Sequence, residues 1–150
     1  MESHTDLAAE LFSVVGRFRR QLRRSAGRGF ESAQLTESQA ELLRLVGRRP
    51  GISVSVAAAE LGLVANTAST LVSKLAADGL LVRTVDTTDR RVGRLRLTEP
   101  AQQMADASRA ARRAVLSEVL NELDNSQIAA LADGLEVLDN MTRMLQERTP

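Results

Sequence analysis

Residues 53–98 read SVSVAAAELGLVANTASTLVSKLAADGLLVRTVDTTDRRVGRLRLT, and this stretch decides the fold of the 150-residue chain. Ser53 is positioned to cap a short helix over residues 54–61, which Gly62 is expected to end in the left-handed conformation. A second helix is predicted from about residue 65 to residue 78, with Gly79 after it. Two helices joined by so short a turn predict a helix-turn-helix, which leaves the second helix free to enter a groove.

A β-hairpin is predicted directly after these two helices. Residues 80–85 read as a strand, residues 86–93 as a polar turn, and residues 94–97 alternate Arg-Leu-Arg-Leu as a half-buried returning strand. A helix-turn-helix followed by a hairpin with arginines at its tip is the arrangement of a winged helix.

Four more helices are predicted outside this stretch. Apolar residues at helical spacing from Leu7 to Leu22 form a stripe on a long first helix, which Gly27 and Gly29 interrupt. Capping-box sequences at residues 36–39 and 124–127 start the second and sixth helices, and Thr98 is expected to cap the fifth. The predicted order is therefore ααααββαα, a mainly α fold with a small β-hairpin.

The apolar stripes of the first, fifth and sixth helices are more extensive than a two-layer winged helix can cover. We therefore expect a homodimer, in which residues 1–34 and 99–150 form a helical dimerisation region. Residues 35–98 would form the winged helix-turn-helix, and the whole chain would be one structural domain.

Composition excludes several classes of protein. The chain is 43% apolar and 26% charged, which is typical of a folded protein. It has no Cys and one His, so disulfides, thiolate or histidine zinc sites and Ser-His-Asp chemistry are not expected. Apolar runs are far shorter than the ~20 residues of a membrane span, and the first ten residues do not resemble a signal peptide. We expect a cytoplasmic protein without cofactor, metal or membrane partner.

Charge is distributed unevenly along the chain. Residues 1–49 carry nine Arg against six acids and residues 50–98 carry six basic against four acidic side chains, whereas residues 99–150 carry five basic against nine acidic ones. The acidic last third is not expected to contact nucleic acid. Any surface for a polyanion should lie before residue 99.

The fourth helix is the candidate for reading DNA bases. Its exposed side is rich in short hydroxyl and amide side chains, which are poor helix formers but can reach base edges closely. A solvated helix that happens to be rich in Ser and Thr is the alternative. The predicted contacts of this helix are Asn66, Thr67, Ser69, Thr70 and Ser73 to bases, and Lys74 to a phosphate.

The hairpin tip is the candidate for holding the DNA backbone. Arg90, Arg91 and Arg94 can place guanidinium groups on phosphates or in a narrow minor groove, and Asp89 is assigned a structural role in the turn. An ordinary charged loop is the alternative. Ser53 and Ser55, at the start of the third helix, are further candidates for phosphate contacts.

From residue 35 to residue 98 the sequence resembles the MarR family of bacterial transcriptional regulators. The most specific part is DRRVGRLRLT at residues 89–98, which is similar to the family's wing motif, and LAADGLL at residues 75–81 is similar to its exit from the recognition helix. The resemblance implies a homodimer in which the first, fifth and sixth helices interlock. It also implies binding of double-stranded DNA at a pseudo-palindromic operator, with repression or activation often relieved by a small aromatic or anionic effector.

Three positions depart from the family pattern. Val64 stands where a capping Ser or Thr is frequent, so the start of the fourth helix should be less well capped. Thr70 stands where an Arg is frequent, which removes one strong DNA contact. Glu99-Pro100-Ala101 replaces the usual Glu-x-Gly after the wing.

Other interpretations stay open at this point. A winged helix can serve as a protein-interaction adaptor, although the fourth helix lacks the exposed aromatic residues that an interface favours. An enzyme would have to use the Glu118/Glu122 pair, which is more typical of a solvated helix face. An aromatic effector pocket would depend on Phe12, Phe18 or Phe30. The arginines at 17, 20, 24 and 28 on the first helix could contact phosphates, an anionic ligand or acids of a partner chain.

Overall fold

A computed structural model describes residues 3–27, 30 and 34–149 of the chain. It contains six helices and two strands in the predicted order ααααββαα, so the predicted fold class is confirmed. The elements are α1 (His4–Ala26), α2 (Glu37–Arg48), α3 (Val54–Leu61), α4 (Ala65–Ala77), β1 (Leu81–Val85), β2 (Gly93–Leu97), α5 (Glu99–Asn121) and α6 (Asn125–Arg148).

Local capping sets most of these boundaries. Thr36 and Asp124 each form a complete capping box with the Gln three residues later, and Ser53 and Thr98 accept hydrogen bonds from the first turns of α3 and α5. Each of these caps was predicted, because a cap depends on residues only two or three positions apart.

The turn between α3 and α4 sets the helix-turn-helix. Gly62 adopts the left-handed conformation at φ 66°, and the two helices meet at a bend of 113°. A residue with a Cβ would be strained at that φ, so glycine is required for the sharp turn. Val64 provides no side-chain cap for α4, as the departure from the family pattern predicts.

The hairpin is joined to the helices by a third extended segment. β1 and β2 pair antiparallel, with Leu81 opposite Leu97 and Val85 opposite Gly93. Beyond β2, the backbone N–H of Leu95 donates to the Ile52 carbonyl (2.9 Å) and that of Gly51 donates to the Leu95 carbonyl (2.8 Å). This pairing, which was not predicted, fixes the start of α3 against the wing.

The buried core belongs to the winged helix. Leu43, Leu75 and Leu95 are fully buried, and the core extends to Ala101 and Ala105 of α5. Among the described residues of α1 and α6, none is buried. The first 26 residues and the last helix therefore contribute little to the core of the single chain.

No single helix in the described part of the chain is both long and apolar enough to cross a membrane. Only α3 and α4 taken together satisfy that criterion by length and composition, and they are bent at the turn between them.

Candidate nucleic-acid interface

One side of α4 is anchored in the core and the other side faces solvent. Ala68, Val72 and Leu75 are buried at helical spacing and fix the rotation of the helix about its axis. The six predicted DNA contacts on this helix are all exposed: Asn66, Thr67, Ser69, Thr70, Ser73 and Lys74. The helix therefore presents a surface of short polar side chains with no bulky residue in the way.

Two of these six side chains already have a partner within the helix. The Thr70 hydroxyl donates to the Asn66 carbonyl (2.9 Å), which leaves its lone pairs and its methyl group for a base. The Lys74 ammonium forms an ion pair with Asp78 (3.3 Å). Exposed pairs of this kind contribute only about 0–1 kcal/mol, so a phosphate could replace Asp78 at little cost.

Asp86 organises the wing from its base, and sequence reasoning missed it. Its Oδ1 accepts hydrogen bonds from the backbone N–H (2.8 Å) and the hydroxyl (2.7 Å) of Thr88. Its Oδ2 accepts two hydrogen bonds from the Arg94 guanidinium (2.9 and 2.7 Å). The Thr88 bonds first, and then Arg94, hold the pKa of Asp86 well below its ordinary range. The Asp-x-Thr spacing is a known turn signal and could have identified the residue.

Arg94 connects the hairpin to the segment that precedes α3. Besides Asp86, its guanidinium reaches the Gly51 carbonyl at 3.4 Å, so it links the wing to the segment before α3. Its side chain is still 42% exposed. Its predicted role as a DNA contact stays a prediction, and this second, structural use was not foreseen.

The outer part of the wing is formed by Asp89 and the two arginines that follow it. Asp89 accepts a hydrogen bond from the backbone N–H of Arg91 (3.0 Å) and pairs with its side chain, which lowers the pKa of Asp89. The Arg91 side chain is 92% exposed, and Arg90 is exposed as well. Two guanidinium groups thus project from the tip of the hairpin.

The two serines proposed for phosphate contacts differ in accessibility. Ser53 is buried, and its hydroxyl accepts from the Val56 N–H (3.2 Å) as the cap of α3. Ser55 is exposed and lies within hydrogen-bond distance of Ser53 (3.3 Å between the two oxygens). Of the pair, Ser55 is the better placed to reach a phosphate.

An arginine-lined cleft lies between α2 and α5, and sequence reasoning did not predict it. Burial first, and then the positive charge of Arg44, lower the pKa of Arg112; Glu37 partly opposes this shift, and Arg48 and Arg19 add to it. Arg44 also pairs with Glu37 (3.0 Å). The cleft has a volume of about 420 Å³ next to α5, where Arg109, Arg113 and two serines complete its lining. Residues far apart in sequence form the cleft, so no local sequence pattern could predict it.

Other candidates from the sequence lie elsewhere. Phe30 is part of the core, whereas Phe12 and Phe18 are exposed on α1 at 87% and 55%, and none of the three lines the arginine cleft. Glu118 and Glu122 are exposed at the far end of α5. On α1, the arginines at 17, 20 and 24 are exposed and residue 28 lies outside the described residues. Arg19 and Arg23 contact the acids of α2 instead.

Comparison with solved structures finds this fold in bacterial regulators. The chain is similar to Streptococcus pneumoniae FabT, solved in complex with DNA, with a TM-score of 0.79 and 19% identity over 95% of this chain and 99% of that one. It is also similar to the transcriptional regulator SlyA, with a TM-score of 0.76 and 21% identity over 93% and 99% of the two chains. The PcaV regulator of Streptomyces coelicolor, solved with its natural ligand, gives 0.66 and 20% over 93% and 96%.

Sequence comparison finds a family match for the central part of the chain. No curated protein matches the sequence. The model of the MarR family matches residues 33–92, which include α2, α3, α4, β1 and most of the wing. The matched region is the one that carries the helix-turn-helix, and the solved structures that share the whole fold include regulators of the same family. Residues 33–92 are therefore similar to the MarR family, and the described chain has the winged helix-turn-helix fold of these solved regulators.

Proposed function

We propose that this chain is a sequence-specific repressor that binds a pseudo-palindromic operator as a homodimer in the cytoplasm. The observation that carries the proposal is the exposed polar face of α4, which packs beside a hairpin with two projecting arginines. The face supplies groups that can read base edges, and the hairpin supplies charges that can hold phosphates. In the proposed division of the chain, residues 35–98 bind DNA and residues 1–34 and 99–150 form the dimer.

The homodimer is supported by the apolar surface that the single chain leaves open. On α6, Leu131, Leu135 and Leu145 are 42%, 55% and 63% exposed, and Phe18 of α1 is 55% exposed. Burial of such side chains provides the main free energy of association. A two-fold dimer would present one α4 to each half-site, with half-sites about 10 to 10.5 base pairs apart.

Release by a small effector is the second part of the proposal. Of the two ligand classes that the family resemblance implies, the cleft favours an anion over an uncharged aromatic molecule. Arg48, Arg109 and Arg112 line the cleft without an ion pair in the described part of the chain. An anion there would relieve the repulsion among the guanidinium groups and bind α2 to α5. Since α2 belongs to the winged helix and α5 leads to the proposed dimer region, such a ligand could change the spacing of the two α4 helices.

The decisive experiment is selection from a random duplex library, repeated at two salt concentrations with each variant. Asn66→Ala should flatten the preference at particular positions, because each good base contact provides about 1–3 kcal/mol of discrimination. Lys74→Ala should weaken binding to all duplexes while the preferred sequence stays the same. Thr70→Ala should lose less than Asn66→Ala, since the Thr70 hydroxyl already donates to the backbone.

The same selection separates the DNA-reading function from its alternatives. A parent protein that selects a pseudo-palindrome supports the proposal, and folded α4 variants that keep the parent's preference everywhere would show that another element reads the sequence. A parent with no preferred sequence would favour the adaptor interpretation. Effector release is tested separately, by adding small anions to the protein–operator complex and comparing wild type with Arg112→Met.

A further inference from the structure

The inner face of the hairpin carries an arginine that the wing motif does not include. In the antiparallel register Arg83 is opposite Leu95, and Val85 is opposite Gly93. Alternate residues of a strand point to the same face, so Arg83 shares its face with the buried Leu81 and with Gly93. Arg83 is nevertheless exposed, because it lies beyond the edge of the core.

Gly93 provides space for the Arg83 side chain, and its own backbone conformation does not call for glycine. Its φ is not in the left-handed region, which contains only Gly27, Gly51, Gly62 and Gly79 among the described glycines. A Cβ at residue 93 would collide with Nε of Arg83 and lie 3.0 Å from both Cζ and Nη2. The missing side chain therefore allows the Arg83 guanidinium to lie across the strand.

Arg83 has no acidic partner among the described residues, a property that it shares with Arg90 and Arg96 but not with Arg91 and Arg94. Arg94 is bound to Asp86 and Arg91 to Asp89. Across residues 3–27, 30 and 34–149, Arg83 takes part in no ion pair or side-chain hydrogen bond. A guanidinium group that is positioned by packing but has no counter-charge is available to an anion.

The surroundings of Arg83 indicate which anion. It lines a cavity of about 910 Å³ with Ser55 of α3, Ser69 of α4 and Arg91 of the wing. These three are candidate DNA contacts, one from each element of the interface. Thr142 and Gln146 of α6 also line this cavity. Arg83 is thus located where the three DNA-facing elements meet.

We propose that Arg83 binds a DNA phosphate between α4 and the wing, and that Gly93 positions it for this contact. The inference rests on the proposed DNA-binding function and adds a backbone contact that lies outside the Asp-Arg-Arg wing motif. The contact is to a phosphate and not to a base, because Arg83 is on β1, beside α4, and not on its exposed face. It should therefore contribute affinity without sequence preference.

The test measures the salt dependence of binding to a mixed-sequence duplex and to the duplex obtained by selection. Arg83→Ala should weaken both complexes and make the slope of log K against log salt shallower by about one unit for each protomer bound. The preferred sequence should not change. Arg96→Ala is the matched control, since it removes the same charge from the same hairpin on its opposite face, and it should leave the slope unchanged.

Gly93→Ala tests the positioning role. The added methyl group displaces Arg83, so this variant should reproduce part of the Arg83→Ala defect. In the double variant the collision is absent, and the loss should equal that of Arg83→Ala alone, a non-additive result. If Gly93→Ala does not fold, the comparison of the double variant with Arg83→Ala still tests whether residue 93 has any effect of its own on DNA binding.

The outcomes distinguish this inference from the function on which it rests. If wild type binds DNA and Arg90→Ala/Arg91→Ala changes the slope while Arg83→Ala behaves like Arg96→Ala, the inference is wrong and the proposed function stands. If Arg83→Ala lowers only the melting temperature, the residue supports the end of α6 and does not contact DNA. If wild type binds no duplex with salt dependence, the proposed function fails first.

Discussion

The winged helix and the terminal helices of this chain differ in how far their apolar side chains are buried. The winged helix buries Leu43, Leu75 and Leu95 completely and satisfies its helix ends with side-chain caps. By contrast, α1 and α6 have no buried residue in the described part of the chain and leave side chains such as Phe12 and Leu145 mostly exposed. The winged helix is a closed region, because its apolar core is covered within one chain. The helices α1 and α6 form an open region, because their apolar side chains are exposed. The difference indicates that DNA binding and assembly are assigned to separate parts of the sequence.

The largest effect should come from the closed region. Leu43→Ala removes a side chain with no exposed surface and should lower the free energy of unfolding by about 2–5 kcal/mol. Urea denaturation followed by circular dichroism measures it. The loss should be independent of protein concentration, because the contacts of Leu43 lie within one chain. A loss that grows on dilution would mean that the winged-helix core depends on the partner.

A smaller, concentration-dependent effect is expected from the open region. Leu135→Ala, on the apolar stripe of α6, should weaken self-association by about 1–3 kcal/mol and leave the winged helix folded. Val137 is the matched control, since it is 60% exposed but lies off the stripe, and Val137→Ala should not change assembly.

Light scattering across a dilution series measures the mass of the assembly for wild type and for both variants. Wild type should have twice the 16.3 kDa mass of one chain at micromolar concentration. A stable wild-type monomer would contradict the division between a closed and an open region. It would mean that the apolar stripes of α1 and α6 can stay exposed to solvent without a partner chain.

The outer part of the hairpin provides an intermediate case, because the Asp86–Arg94 ion pair holds it together beyond the buried Leu81 and Leu95. Asp86→Asn keeps the acceptor for the Thr88 N–H but removes the charge that holds Arg94, so it should lower the melting temperature at neutral pH. Because the pKa of Asp86 is lower in the folded state, its contribution is complete above the ordinary Asp pKa of about 3.9 and disappears as pH falls through the folded value.

The measurement is the difference in melting temperature between wild type and Asp86→Asn as a function of pH. The difference should be constant from pH 7 down to the ordinary Asp range and should shrink only below it. All other acids titrate in both proteins and cancel. A difference that is already zero at neutral pH would show that Arg94 does not need the Asp86 charge.

Which features the sequence could predict depends on the distance between the residues involved. The caps at Thr36, Ser53, Thr98 and Asp124 and the left-handed Gly62 are fixed by neighbours a few positions away, and each was predicted from such a pattern. The exposed side of α4 followed from the spacing of its buried residues.

Interactions between elements were not accessible in the same way. The Asp86–Arg94 pair and the collision of Arg83 with a Cβ at residue 93 depend on the strand register, which a single sequence specifies poorly. The pairing of residues 51–53 with β2 and the arginine cleft join segments more than forty residues apart. Only the packed structure brings these groups together.

The smallest expected effect, and the only one of opposite sign, concerns the junction of the two regions. Arg112 is partly buried on α5, and Arg44, Arg48 and Arg19 repel it, so its charge is unfavourable in the folded state. Arg112→Met keeps the length of the side chain and removes the charge, and should leave stability unchanged or raise it by less than about 1 kcal/mol, since solvent screens a partly exposed group. Arg143→Met, at an exposed position of α6 outside the cleft, is the control and should have no effect. Added chloride screens the repulsion and should reduce any difference in stability between Arg112→Met and wild type.

Phosphate provides a second test of the cleft. If it occupies the cleft, it should stabilise wild type more than Arg112→Met at equal ionic strength. Thermal melts in chloride and in phosphate measure both effects. If Arg112→Met lowers the free energy of unfolding by more than about 1 kcal/mol, the Arg112 guanidinium already has favourable partners, and the cleft is not an anion site.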